Sequence, residues 1–168
     1  VYYFSAYSDA VANGRIKAGE KINFAVPTGN FGDILAGYYA KLMGLPVAKF
    51  ICASNSNNVL SDFINTGIYD RRREFYKTVS PSMDIQVSSN FERALFWAYG
   101  SDPAAIRQIM GDLKAGGFTI SQGALQALRE DFISGRVSEA ETLDTIRLIR
   151  AETGEIICPH TAVAARVA

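Results

Sequence analysis

The chain has 168 residues, 48% of them hydrophobic, with 17 basic side chains balanced by 17 acidic ones. That is enough chain and enough apolar residue for one domain with a buried core, so disorder is excluded; the charge balance leaves no positive field to draw nucleic acid or an anionic membrane surface. Any anion must therefore be held by local geometry. Two cysteines, Cys52 and Cys158, without CxxC spacing argue against a zinc site or a disulfide framework and suit a reducing, cytoplasmic compartment. No apolar run approaches the ~20 residues that cross a bilayer, and the N-terminus has neither a basic region nor a small-residue cleavage site. Both ends read as cut, since "VYYFSAY" is apolar from its first residue and "PHTAVAARVA" stops within a helical pattern.

Taken in chain order, residues 2–12 carry aromatics and alanines at helical spacing, closed by the turn pair Asn13-Gly14. "KINFAVP" places Ile22, Phe24 and Val26 on one side and ends at Pro27, as a strand does before a loop. After a turn containing Gly29 and Gly32, Ile34, Leu35, Tyr38, Tyr39 and Leu42 make one helical face that ends near Gly44 and Pro46. "VAKFICAS" follows as a second, near-continuous apolar strand. Strand, helix and strand in so short a span is the βαβ unit of a parallel sheet. Beyond it the pattern is helix-rich. A short helix is predicted over 57–65 with a stop at Gly67, and a short strand over 85–88 after the "SPSMD" turn. Helices are predicted over 90–99, from the Asp102-Pro103 cap to about Ala115, and from the Ser138-x-x-Glu141 capping box to Gly154. The fold class is α/β, a parallel-sheet layer flanked by helices.

The turn "TGNFGD" carries the first functional argument. A strand that ends in a glycine-rich turn and enters a helix leaves first-turn amides unpaired at the positive end of the dipole, a natural seat for a phosphate. Glycine at 29 and 32 lets an anion approach the main chain and tolerates positive φ. Asn30 can donate its side-chain amide and Thr28 can offer its hydroxyl to the anion or to a neighbouring amide, while Asp33 should offer its backbone N–H and aim its carboxylate elsewhere. No Lys-Ser or Lys-Thr follows the second glycine, so this is not a nucleotide P-loop, and GxGxxG is absent. On spacing alone, a tight packing turn explains the glycines equally well.

Three stretches, in order, carry a resemblance: "VPTGNFGDILAGYYAKLMGLPVAKFICASNSNNVL", "SPSMDIQVSSNFERALFW" and "ICPHTAVA". Together they closely resemble the cofactor-phosphate region of threonine synthases, members of the fold type II pyridoxal-phosphate (PLP) enzymes. The likeness covers most of the chain and is weakest over 100–155. It implies part of a fold type II large domain: a phosphate-loop α/β core over 12–100, a helical segment over 101–155 and the start of a further element over 156–168. It implies PLP as cofactor, its phosphate on Gly29, Asn30, Phe31, Gly32 and Asp33. The implied reaction is a PLP-dependent lyase chemistry of threonine biosynthesis, turning O-phospho-L-homoserine and water into L-threonine and phosphate.

The resemblance also exposes what is missing. The family's Schiff-base lysine belongs to an N-terminal "FKD"-like stretch with no counterpart here, and Lys17, Lys21, Lys41, Lys49, Lys77 and Lys114 all stand in polar or helix-surface contexts. No catalytic residue is therefore assigned, and the chain taken alone is expected to be inactive. Asn55 and Asn57 lie at the exit of the second strand, where open α/β sheets bind ligands. Asn58 stands where the family wording often has an acid. Ser80, Ser82 and Asp84 either line a pocket or shape a turn, and His160 reads as a capping or packing residue before a catalytic one. Arg71 to Arg73 read as a solvated face. Two alternatives stay open: a non-catalytic module that keeps the phosphate loop, and another fold type II PLP lyase. A small-molecule substrate is expected, no metal, no nucleic acid and no membrane; the oligomeric state is not legible.

Overall fold

Helix α1 (Tyr2–Ala12) opens the chain in the computed structural model, which describes residues 1–168. Strand β1 (Ile22–Pro27), helix α2 (Gly32–Leu42) and strand β2 (Val47–Ser54) then form the expected βαβ unit. A third strand, β5, completes a parallel sheet in the order β1-β2-β5. Between β2 and β5 come α3 (Val59–Thr66), β3 (Ile68–Asp70), α4 (Phe91–Ala98), α5 (Pro103–Ala115), β4 (Gly117–Thr119) and α6 (Gln122–Asp131). Strand β5 (Phe132–Arg136), α7 (Glu139–Thr153) and α8 (Pro159–Val167) end the chain.

The two faces of the sheet pack against different partners. Side chains alternate along a strand, and the parallel register sets Phe24 beside Phe50 and Phe50 beside Phe132, a row of aromatic rings on one face. Their centroids are 6.2 and 5.8 Å apart, and Tyr3 meets the row edge-on at 4.9 Å from Phe24. This face holds the main core with residues of α1, α2, α3 and α6. On the opposite face, which also carries Ile51 and Ile133, the small residues Ala25, Ala53 and Gly135 leave room for α8, and Val163 and Ala164 of that helix pack beside Ala53. A Cβ on Gly135 would come within 2.6 Å of Val167, so this glycine sets how closely α8 approaches.

Several caps follow the chemistry of their residues. Asp102 accepts from the amides of Ala104 and Ala105 with Pro103 at the first helical position, and Ser138 with Glu141 forms a complete capping box on α7. Gly67 ends α3 in the left-handed conformation at φ 78°.

Three departures from the sequence pattern have local causes. Residues 85–88 form no strand: Pro81–Met83 is a 3-10 turn, and the chain from there to Asn90 runs as bends whose polar groups serve the neighbouring loop. The stretch 101–155, read as helical, contains β4 and the sheet-edge strand β5. Only five residues, directly abutting α6 and including Gly135, leave no alternating pattern for β5 to declare itself. Strand β3, shorter still at three residues, pairs antiparallel with β4 through Tyr69 opposite Phe118.

Candidate functional site

Three parallel strands point their carboxyl ends the same way, so the loops after β1, β2 and β5 share one edge, the edge at which open α/β sheets hold ligands. The glycine turn after β1 is the part of that edge with unused donors. Thr28 closes the strand: its amide donates to the Ala53 carbonyl at 2.8 Å and its hydroxyl to the Val26 carbonyl at 2.7 Å. The hydroxyl expected to reach an anion is thus spent on the strand's own backbone.

Beyond Thr28 the carbonyls are tied down. Ser88 Oγ donates to the Gly29 carbonyl at 2.9 Å, and the Asn90 backbone amide and Nδ2 each donate to the Asn30 carbonyl at 3.0 Å. A peptide unit is planar and trans, so fixing a carbonyl on one side turns the following N–H to the other. The amides of Asn30 and Phe31, which belong to those two units, face away from residues 88–90 and meet no acceptor in the chain. The amides of Asp33 and Ile34, in the first turn of α2, are also unpaired, as helix geometry requires. Gly32 is the exception, since its N–H donates to Asn30 Oδ1 at 2.9 Å. That bond holds the Asn30 side chain across the turn.

The strained residue is Phe31, with φ 65° and ψ 7° at the N-cap of α2. Neither Gly29 nor Gly32 has positive φ, so the sequence-based account of the glycines is corrected: they are needed for closeness, not for handedness. A Cβ on Gly29 would fall 2.6 Å from the Ser82 carbonyl oxygen and 3.1 Å from Met83 Cα, both main chain. On Gly32 it would meet Asn30 Oδ1 at 3.0 Å and Asn90 Nδ2 at 3.3 Å. A left-handed non-glycine residue costs about 1–2 kcal/mol. Burial of the Phe31 ring, 1% exposed and 4.8 Å from Phe91 and 5.4 Å from Phe132 between centroids, offsets it with about 1.5–3 kcal/mol. The buried ring anchors the turn against α4 and β5. Asp33 behaves as expected, its carboxylate lying against the Tyr3 hydroxyl at 3.2 Å.

The loop after β2 has the opposite character. Asn55 Nδ2 donates to Asp84 Oδ1 at 2.8 Å and Asn57 Nδ2 to the same oxygen at 2.9 Å; Thr78 adds its hydroxyl at 2.7 Å and, to Oδ2, its amide at 2.9 Å. Burial pushes the Asp84 carboxyl upward, but the Thr78 amide and hydroxyl with Asn55 and Asn57 outweigh it and hold the group below the usual aspartate value. Asn55 and Asn57, with Ser80 and Asp84, therefore stitch the β2 exit to residues 76–84, and their hydrogen-bonding capacity is directed inward. Asn58 donates to Asp62 at 2.8 Å, and Arg73 pairs with Asp62 at 2.8 Å, so Arg73 braces α3 while Arg72 turns to Asp70. His160 Nε2 accepts the Ser82 amide at 3.3 Å, which places its proton on Nδ1, 4.0 Å from Cys158 Sγ. It is a packing histidine that joins α8 to the segment under Gly29. Lys41 pairs with Asp131 at 2.7 Å and Lys49 caps the carbonyls of Arg129 and Glu130, so both are engaged in scaffolding.

Ser88 and Asn90 hold the carbonyls of the turn, a structural part that the sequence did not reveal. A polar trio, Ser88-Ser89-Asn90, directly before the apolar start of α4 was the available signal. The one buried side-chain polar atom without a partner, Ser54 Oγ, also lies on this edge, at the last residue of β2.

No family model matches the chain. Comparison with curated proteins finds the human protein named threonine synthase-like 1 at 46% identity over 170 residues, covering 100% of this chain and 23% of that protein. The threonine synthase of Methylobacillus glycogenes is 42% identical over 173 residues, covering 100% of this chain and 36% of its own length. Among solved structures, PLP-bound threonine synthase from Brucella melitensis superposes with a TM-score of 0.92 at 48% identity, over 99% of this chain and 35% of that one. An open α/β layer with a bared amide turn, matched so closely over its whole extent, has the architecture of the fold type II PLP enzymes. Within that class the chain belongs to the threonine synthase family. It spans 23% to 36% of the length of the relatives it matches.

Proposed function

We propose that the turn from Gly29 to Asp33 seats the phosphate of PLP, and that the whole protein converts O-phospho-L-homoserine and water to L-threonine and phosphate. The observation that carries it is the set of amides at Asn30, Phe31, Asp33 and Ile34 that lack any acceptor within the chain, the first two turned outward by Ser88 and Asn90 and the last two free at the start of α2. Four N–H groups without a partner, gathered where a strand turns into a helix N-terminus, fit a dianion. The residues fit the group: Asn30 and Asp33 are exposed while Gly29 and Phe31 are buried beneath, so an anion reaches the amides without displacing the core.

Bound there, PLP would supply the electron sink for bond-making and bond-breaking on an amino-acid substrate. The residues of this chain hold and orient it: Phe31 fixes the turn, Asn30 bridges it, and the first turn of α2 provides the positive dipole end. The supporting likeness to threonine synthases makes a small phosphorylated amino acid the expected substrate. The test uses the full-length protein and compares PLP with pyridoxal, which lacks the phosphate. Gly32→Leu should lower PLP affinity by about tenfold or more, since it crowds amides that each contribute a charge-assisted bond, and leave pyridoxal affinity unchanged. Equal affinity of the variant and the parent for PLP would refute the seat. Formation of threonine and phosphate from O-phosphohomoserine, and not from serine, tests the reaction; its absence would favour another lyase of the class.

A further inference from the structure

An aspartate in the first turn of a helix normally bends back toward the free amides or simply adds negative charge beside them. At an anion seat both habits are harmful, because the carboxylate would compete with the ligand for the same N–H groups and repel it. Asp33 occupies that position, exposed, one residue after Gly32. The structure shows what restrains it. Tyr3 Oη lies 3.2 Å from Asp33 Oδ1 and 3.1 Å from the Asp33 carbonyl oxygen, reaching across from α1.

The Tyr3 ring has almost no freedom to leave. It is 8% exposed and meets Phe24 edge-on at 4.9 Å and Phe50 edge-on at 6.1 Å. It also presses against α2 where Gly37 has no side chain: a Cβ there would be 2.6 Å from both Tyr3 Cε1 and Cζ. Gly37 thus gives the tyrosine its place, and the aromatic row fixes the direction of its hydroxyl. Burial and the neighbouring Asp33 carboxylate both raise the phenol above its ordinary value, which keeps it a proton donor.

We propose that Tyr3 is a positioning residue for the phosphate seat: its hydroxyl holds the Asp33 carboxylate to the α1 side and so keeps the first-turn amides of α2 open to an anion. The inference rests on the phosphate-seat function proposed above and assigns a role to a helix outside the turn. It explains why a carboxylate is tolerated beside a bound phosphate: the charge is parked on a rigid donor, while the Asp33 N–H stays available.

The experiment measures dissociation constants of the full-length protein for PLP and for pyridoxal in four forms: parent, Tyr3→Phe, Asp33→Asn and the double variant. Phenylalanine keeps the ring and the packing, so the change isolates the hydroxyl. Tyr3→Phe is expected to weaken PLP about three- to tenfold, the scale of one released charge at a helix N-terminus, with pyridoxal unaffected. In the Asp33→Asn background the same Tyr3→Phe change should have no effect on PLP, because no carboxylate remains to be restrained. Three results overturn the proposal: no loss of PLP affinity in Tyr3→Phe, an equal loss for pyridoxal, which would mean general loosening, or the same loss in the Asp33→Asn background. Failure of the underlying seat is read separately, from Gly32→Leu: if that change leaves PLP affinity intact, both readings fall, whereas a normal Gly32→Leu result with a silent Tyr3→Phe removes Tyr3 alone.

Discussion

The exits of β1 and β2 lie side by side on one sheet edge, yet they dispose of their polar groups in opposite ways. After β1 the carbonyls are satisfied by Ser88 and Asn90 and the amides are left over; after β2, Asn55 and Asn57 join Thr78 in filling the Asp84 carboxylate. Both loops carry asparagine, Asn30 after β1 and Asn55, Asn57 and Asn58 after β2, so the presence of that side chain does not separate them. Accounting for donors and acceptors does. A loop that consumes its own polar capacity acts as scaffold, whereas donors left without partners at a helix N-terminus are what an anion seat requires.

That contrast can be broken by mutation. The largest effect is expected from Gly29→Val, because the added atoms collide with main chain at Ser82 and Met83 and neither can move alone. PLP binding should fall by about two orders of magnitude or more with loss of the folded loop, as for other overpacked buried positions; near-normal binding would show that the close approach is not needed. Phe31→Ala comes next. Truncating a fully buried ring costs about 3–5 kcal/mol, to be read from denaturant unfolding, and should also release the turn. A cost below about 1 kcal/mol would deny the ring its anchoring role.

On the other side of the comparison, Asp84→Ala should cost about 1–3 kcal/mol by orphaning the Asn55, Asn57 and Thr78 donors, while the preference for PLP over pyridoxal persists. Collapse of that preference would make the β2 exit part of the seat. A smaller effect follows from pH. Asp84 has a depressed folded-state value, so its stabilisation is complete above the ordinary aspartate range and is withdrawn as pH falls below it toward the depressed value. Asp84→Asn should flatten the acid limb of the stability profile, and an unchanged limb would contradict the hydrogen bonding assigned to it.

The two thiols give the smallest and most local readout. Cys52 is fully buried beside Thr28, and burial pushes its thiol up to about 12 against the lowering effect of the Thr28 hydroxyl. Cys158 is exposed at the N-cap of α8, held below the ordinary thiol value first by the Thr161 hydroxyl and then by its amide. A thiol reagent should modify Cys158 in the native state and Cys52 only after unfolding. Equal rates would mean that the strand beneath the glycine turn opens readily.

The legible parts of the molecule were those written in local chemistry. Asp102-Pro103, Ser138 with Glu141, and Gly67 each mark a helix boundary through one side chain or one backbone conformation, and the structure places a boundary at each. The turn from Gly29 to Asp33 was equally visible because a strand, glycines and a helix follow within a few residues. What stayed hidden depends on distant pairing. Strand β5 exists because Phe132 falls beside Phe50, not because its five residues favour a strand. Phe31 reads as an ordinary apolar residue until Phe91 and Phe132 are brought around it, and only then does its left-handed backbone make sense. Ser88, Asn90 and Tyr3 act on the turn from 59, 60 and 30 positions away, a separation that no local pattern reports.

We propose above all that the amides of Asn30, Phe31, Asp33 and Ile34 grip a phosphate. A crystal structure of the full-length protein with PLP tests it most directly. Phosphate oxygens are expected within hydrogen-bond distance of those four nitrogens, with the Asp33 carboxylate still on Tyr3. A phosphate held elsewhere, or a protein side chain capping those amides in its place, would contradict it.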